Sequence, residues 1–145
     1  MKRVLFLCSG NYYRSRFSEI FFNWHAKKRC LNWEAESRGP TLLNIHPGFM
    51  FQSTIERLTY HDIPIDSYKR LPLKATQQDF DAADHIVAVK QTEHRPLIEE
   101  HFPTQLDRIE FWEVHDLDCA GPEETIPHLE REVLALIERL EGSKD

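Results

Sequence analysis

The run Cys8-Ser9-Gly10-Asn11-Tyr12-Tyr13-Arg14-Ser15 sets a thiol, an arginine six positions on and an adjoining hydroxyl in one short stretch. It follows the apolar residues Val4-Leu5-Phe6-Leu7 and leads into a helix-like pattern from Ser15 onward. Between a strand and a helix, those residue types make a phosphate site. The backbone N–H groups of Ser9, Gly10, Asn11, Tyr12, Tyr13, Arg14 and Ser15 can curl around an oxyanion, and the helix dipole adds positive potential. The Arg14 guanidinium is a planar fork matched to two phosphate oxygens. Cys8 lies at the base of this cradle, where the field that draws phosphate also favours thiolate over thiol. Cys8 is the candidate nucleophile, aimed at phosphorus.

A Cys-x5-Arg spacing is a weak signal alone, and its neighbours sharpen it. Gly10 can take φ > 0 where the loop bends sharply, and Asn11 tolerates left-handed geometry and can brace the loop with its side chain. Ser15 is placed to donate a hydrogen bond toward the Cys8 sulfur. The plain alternative is a buried Cys8 ending a core strand beside a solvated Arg14. A free thiol titrates near pKa ~8.5, whereas helix N-termini and cations bring reactive cysteines to about 3.5–7.5. At about 1.36 kcal/mol per unit, the loop must supply several kcal/mol of differential stabilisation. In-line attack would give a phosphocysteine that water then hydrolyses. The leaving oxygen needs a proton, and Asp116 and Asp118 follow the last strand-like run, at the same end of the sheet as Cys8.

The run resembles the active-site loop of the low-molecular-weight protein-tyrosine phosphatases, written C-x-G-N-x-C-R-S-P. Glu19 falls where that family has the acidic residue of its first helix, and Ser37-Arg38-Gly39 is similar to its Ser-Ala-Gly after the second strand. Trp112-Glu113-Val114-His115-Asp116 resembles the segment that ends in the family's general-acid aspartate. The similarity runs over nearly the whole chain in the same order. It implies Cys8, Arg14 and Asp116 as catalytic residues, with Asp118 the alternative acid. It also implies that Ser37 joins Asn11 and Ser15 in stiffening the loop, a plain turn residue being the other reading. Tyr68 stands near the place of the histidine that often completes this network.

Three departures from the family pattern bear on chemistry. Leu117 and Asp118 stand where proline and often tyrosine follow the acid. No aromatic gate is evident in Pro40-Thr41-Leu42-Leu43-Asn44, so small phosphate esters stand beside phosphotyrosine as substrates. Tyr13 replaces the cysteine that many members carry beside the catalytic one. Tyr12 can pack on a substrate ring as an aromatic platform, or on neighbouring loops.

Positioning these residues requires alternating strands and helices. Apolar runs near residues 3–8, 33–37, 84–89 and 108–113 read as strands, and segments near 15–29, 52–61, 92–101 and 124–141 as helices. Leu129, Val133, Leu136, Ile137 and Leu140 repeat at helical spacing and should bury one face. Residues 39–51 and 67–76 read as loops. This alternation predicts an α/β single-domain three-layer sandwich over residues 1–145, with a four-stranded parallel sheet and helices on both faces. The resemblance adds a flavodoxin-like strand order. Ligands of such sheets sit at the carboxyl ends of the strands, where Cys8 falls.

Composition narrows the classes. With 41% apolar and 29% charged residues in 145, the chain is an ordinary globule. A net charge of −6 argues against nucleic-acid partners, and no apolar run approaches the roughly 20 residues of a membrane span. Met1-Lys2-Arg3 passes straight into a strand-like run without a cleavage pattern, so the expected location is cytoplasmic. Three cysteines in no zinc-like spacing favour free thiols, with Cys30 a core thiol, and the eight histidines show no metal-like pairing. No metal or other cofactor is expected. The partner is then a phosphorylated protein or small phosphate ester. A thioredoxin-coupled arsenate reductase would need two further cysteines close together, and Val87 to Glu100 holds none. The remaining alternative is a module that binds phosphate or phosphoprotein without turnover.

With Tyr13 in place of the neighbouring cysteine, Cys8 cannot be protected by a disulfide to that position and should overoxidise readily with peroxide. Activity after mild peroxide should therefore stay low when a thiol reductant is added; near-complete recovery would refute this.

Overall fold

In a computed structural model, residues 1–40, 49–114 and 121–142 are described. The chain runs β1 (Lys2–Leu7), α1 (Arg14–Lys28), β2 (Trp33–Arg38), α2 (Gln52–Tyr60), α3 (Gln77–Ala82), β3 (His85–Ala88), α4 (Gln91–His101), β4 (Ile109–Phe111) and α5 (Pro122–Gly142). Short 3-10 turns lie at Asp66–Tyr68 and Pro103–Arg108. The strands order β2-β1-β3-β4, all pairs parallel. Leu7 pairs with Arg38 on one side and Ala88 on the other, so Cys8, Gly39 and Val89 leave the sheet at one edge.

The sheet is covered on both faces, which explains why its central strands are continuously apolar rather than alternating. Val4 and Phe6 of β1 face a core with Phe17, Ile20 and Phe21 of α1 and Leu129, Val133 and Ile137 of α5. Leu5 and Leu7 face the other core, with Phe80 of α3 and Ile98 of α4. Side chains of this size contribute about 1.5–3 kcal/mol each when fully buried. The three layers, the parallel sheet and the four expected helices are all present.

Some details depart from the sequence reading. The strand expected at 108–113 is three residues long, as Arg108 belongs to the 3-10 turn before it and Trp112 and Glu113 lie past its end. Helix α3 was not anticipated. It is fixed by a capping box in which the Thr76 hydroxyl accepts the Asp79 N–H at 3.3 Å and the Asp79 carboxylate accepts the Thr76 N–H at 2.8 Å. Cys30 is an exposed thiol and not a core one. At φ 53° it turns the chain out of α1 in left-handed geometry, and Leu31 takes the buried place beside it.

Glu110 of β4 ties the sheet edge to α5. Its carboxylate accepts two bonds from the Arg139 guanidinium, at 3.0 and 2.8 Å, and one from Trp112 Nε1, and pairs with His85 Nε2 at 3.0 Å. Burial alone would raise its pKa, but these hydrogen bonds outweigh it and hold the group well below the usual carboxylate range. A depressed carboxylate stabilises fully above its unfolded pKa and loses that contribution only as pH falls through the folded value. Glu110→Gln should cost about 1–2 kcal/mol at neutral pH, a melting midpoint lower by about 3–6 °C, with the deficit shrinking in strong acid. Thermal melts against pH would check this.

Candidate active site

The candidate phosphate loop connects the end of β1 to the start of α1. Cys8 and Arg14 are both 2% exposed, and Asn11 and Ser15 are fully buried. Tyr13, the residue before α1, places no capping side chain on the helix, and the first turn holds no acidic residue. A helix start of this kind leaves its N–H groups for an anion.

The sulfur of Cys8 lies 3.0 Å from Ser15 Oγ and 3.3 Å from the Ser15 N–H. The direction of the first bond follows from its neighbours. Asn11 Nδ2 donates to Ser15 Oγ at 2.9 Å, so the Ser15 hydroxyl proton is left to point at sulfur. Asn11 Nδ2 also donates to Ser37 Oγ at 2.9 Å, and the Ser37 hydroxyl donates to the Glu19 carboxylate at 2.5 Å. Asn11 itself sits at φ 48°, the left-handed conformation expected of it. Ser37, fully buried at the end of β2, belongs to the loop-stiffening network and is not a plain turn residue.

Arg70 closes this network, and Tyr68 does not. The Arg70 guanidinium donates to Asn11 Oδ1 at 3.0 Å, Ser37 Oγ and O at 3.1 Å, and Glu19 Oε1 at 3.4 Å. Tyr68 contributes its backbone carbonyl, which accepts Arg16 Nη2 at 2.7 Å, while its hydroxyl side is held by Asn23. Arg16 stands where the loop pattern that this run resembles ends in proline. It is wholly buried and also donates to the carbonyls of Phe49 at 2.7 Å and Arg70 at 3.2 Å. Burial, helped by the Arg70 charge, pushes Arg16 down to about 10, so it stays cationic at neutral pH. Burial pushes the Glu19 carboxyl up, against the Ser37 hydroxyl and the Arg70, Arg16 and Arg38 charges.

Arg14 reaches across the sheet edge. Its Nη1 donates to the carbonyl of Val114 at 3.1 Å, and Val114 N–H donates to Val89 O at 2.8 Å. The guanidinium thus holds the strand exit that leads toward the candidate acids. Asp116, Asp118 and Cys119 lie outside the described residues, as do Thr41–Asn44 of the expected loop.

Aromatic groups line one side of the loop. Tyr12 is half-buried and meets the half-buried Phe51 edge-to-face at 6.1 Å, and Phe51 N–H donates to Tyr12 O at 3.0 Å. Tyr13, buried, packs on Phe51 at 4.7 Å. Opposite them, Ser9 Oγ lies 3.1 Å from Nε2 of His94, a fully buried residue of α4. Arg70, Arg16, Phe51 and His94 were all missed in the sequence. Arg16 alone carried a local signal, as it takes the place of the proline that ends the loop pattern; Arg70, Phe51 and His94 carry none, because each reaches the loop from another part of the chain. Among the described residues, no group of histidine, cysteine and carboxylate side chains could hold a metal ion.

Comparison with known proteins agrees with this geometry. The family model for low molecular weight phosphotyrosine protein phosphatases matches residues 3–143. Among solved structures, YfkJ from Bacillus subtilis is similar with a TM-score of 0.86 at 24% identity, covering 100% of this chain and 98% of that one. The low molecular weight protein tyrosine phosphatase from T. tengcongensis is similar with a TM-score of 0.76 at 25% identity, covering 99% and 100%. The YwlE arginine phosphatase from Geobacillus stearothermophilus is similar with a TM-score of 0.77 at 21% identity, covering 98% and 94%. No curated protein matches significantly. A thiol and an arginine on a strand-to-helix loop, braced by a buried asparagine–serine network, sit within a match that spans almost the full sequence, and the chain belongs to the low molecular weight phosphotyrosine protein phosphatase family.

Proposed function

We propose that this chain hydrolyses phosphate monoesters, protein phosphotyrosine foremost, through a phosphocysteine on Cys8. The observation that carries this reading is the Cys8 sulfur, 3.0 Å from a hydroxyl whose proton is directed at it and 3.3 Å from an amide. Both donors bond an anionic sulfur more strongly than a neutral thiol. Sulfur attacks phosphorus in line, the bond to the leaving oxygen breaks, and Asp116 protonates that oxygen. The same carboxylate then takes a proton from water as it attacks the phosphocysteine, the S–P bond breaks and phosphate departs. Arg14 and the loop amides hold the phosphoryl oxygens throughout. Protein groups suffice for each step, and no cofactor enters.

Asp116 is favoured as the acid because Val114, two residues before it, is bonded to Arg14. Asp118 is the alternative. The Tyr12–Phe51 wall supports an aryl leaving group over an alkyl one, as stacking on a ring adds about 0.5–1.5 kcal/mol. The natural partner is then a phosphorylated protein, with small aryl phosphates as surrogates. No described helix is long and apolar enough to cross a membrane, and the expected site of action is the cytoplasm.

Wild-type protein should hydrolyse an aryl phosphate at mildly acidic pH in the presence of chelator, and Cys8→Ser should lower turnover by about 10⁴-fold or more. Asp116→Asn should slow it by about 10²–10⁴-fold, leaving Asp118→Asn close to wild type. The reverse pattern would move the acid to Asp118. Phosphoarginine turned over faster than phosphotyrosine would overturn the substrate assignment.

Arg70→Ala removes four hydrogen-bond contacts, made by two guanidinium nitrogens, from the network behind the loop. It should cost about 2–3 kcal/mol of stability, with turnover falling alongside, and Arg70→Lys should recover part because an ammonium cannot bridge Asn11 and Ser37 at once. Melting curves and steady-state rates together would check it.

A further inference from the structure

His94 has a place in this site that its burial alone does not explain. Its ring is fully buried between the start of α4 and the phosphate loop. The Lys90 backbone N–H donates to Nδ1 at 3.1 Å. Nδ1 therefore carries no proton, and the neutral ring has its proton on Nε2. Nε2 lies 3.1 Å from Ser9 Oγ, so the ring is the donor and the serine oxygen the acceptor. A hydroxyl whose oxygen already accepts a bond from a fixed donor has its own proton turned to another side. Ser9 follows Cys8 directly, is half-buried, and meets α4 through His94.

We propose that the Ser9 hydroxyl is a side-chain donor to an oxygen of the bound phosphoryl group, with His94 the positioning residue that fixes its direction. The inference rests on the phosphatase reading and adds to it a contact that loop amides and Arg14 do not supply. His94 acts here through orientation and not by proton transfer. A second proton on Nδ1 would set two donors against each other at the Lys90 amide. Burying a histidine for this purpose is physically reasonable. A half-buried serine hydroxyl left to itself samples several rotamers, and the Nε2–H bond selects among them before substrate arrives. The Tyr12–Phe51 wall and the Ser9–His94 pair then flank the cradle on opposite sides, one contacting the leaving group and the other the phosphoryl group.

The test compares wild type with Ser9→Ala, Ser9→Thr, His94→Phe, His94→Gln and the Ser9→Ala/His94→Phe double variant. It reads kcat and KM on an aryl phosphate, the inhibition constant of inorganic phosphate, and melting temperature. Ser9→Ala should weaken phosphate inhibition about tenfold and lower kcat/KM about ten- to a hundredfold, while Ser9→Thr stays within about threefold of wild type. His94→Phe should reproduce the Ser9→Ala values, and the double variant should be no worse than either single one. His94→Gln, whose amide nitrogen can reach the Nε2 position and donate, should recover most of the loss. Wild-type phosphate inhibition in Ser9→Ala would overturn the proposal. So would additive losses in the double variant, or a His94→Phe protein that melts lower with unchanged phosphate inhibition. Should His94→Phe not fold, the Ser9→Ala and His94→Gln arms decide alone. Full activity in Cys8→Ser would sink the phosphatase reading itself, whereas normal wild-type turnover with Ser9→Ala indistinguishable from wild type sinks this inference and leaves that reading standing. Direct calorimetric binding of inorganic phosphate to wild type and Ser9→Ala tests the donor even if neither turns over substrate.

Discussion

The Asn11 side chain decides the geometry of this protein's working end. Its amide oxygen accepts Arg70 at 3.0 Å and the Leu73 N–H at 2.9 Å, while its amide nitrogen donates to Ser15 and Ser37. Four partners fix which end is oxygen and which is nitrogen. They also hold the residue at φ 48°, a conformation that costs a non-glycine residue energy unless its surroundings compel it. With Asn11 set, Ser15 has one direction left for its hydroxyl proton, toward sulfur. A chain of bonds therefore runs from a guanidinium on a distant loop to the Cys8 sulfur.

Electrostatically the site is a cationic enclave on an acidic protein. Arg14, Arg16 and Arg70 converge on one loop although the chain carries a net charge of −6. Glu19 is the carboxyl that Arg70 and Arg16 share, and it stays tied in because Ser37 donates to it at 2.5 Å. Buried ions of this kind contribute little net stability, since desolvation offsets attraction. Their worth is in order. Arg16 pins the carbonyls of Phe49, Tyr68 and Arg70, so the segments on either side of the loop are held by one side chain. The first half of α1 is buried on all sides for the same reason, with Phe17, Ile20 and Phe21 in the core and Arg16, Ser18 and Glu19 in the network.

Some of this could be read from residue order and some could not. The cradle was legible because its parts are contiguous: a strand, a bend, a helix start, and a thiol, arginine and hydroxyl at fixed offsets. Helix α3 carried a readable Thr-x-x-Asp capping signature that went unused. Tyr68 was assigned to the network by analogy of position. The 3-10 turn at Asp66–Tyr68 instead delivers the next cation, Arg70, to Asn11. The aromatic wall, absent from residues 40–44 as a pattern, is supplied by Phe51 from just before α2.

Residue order alone carried the alternation that makes a parallel sheet, the sheet edge at which Cys8 falls, and the candidate nucleophile with its arginine. These follow from short-range periodicity and local backbone chemistry. Tertiary structure decided what braces and aims them: Arg70, 59 positions from Asn11, and His94, 85 positions from Ser9. A hydrogen bond between such distant residues leaves no periodicity in the chain, because it depends on how two loops happen to meet once the strands have packed.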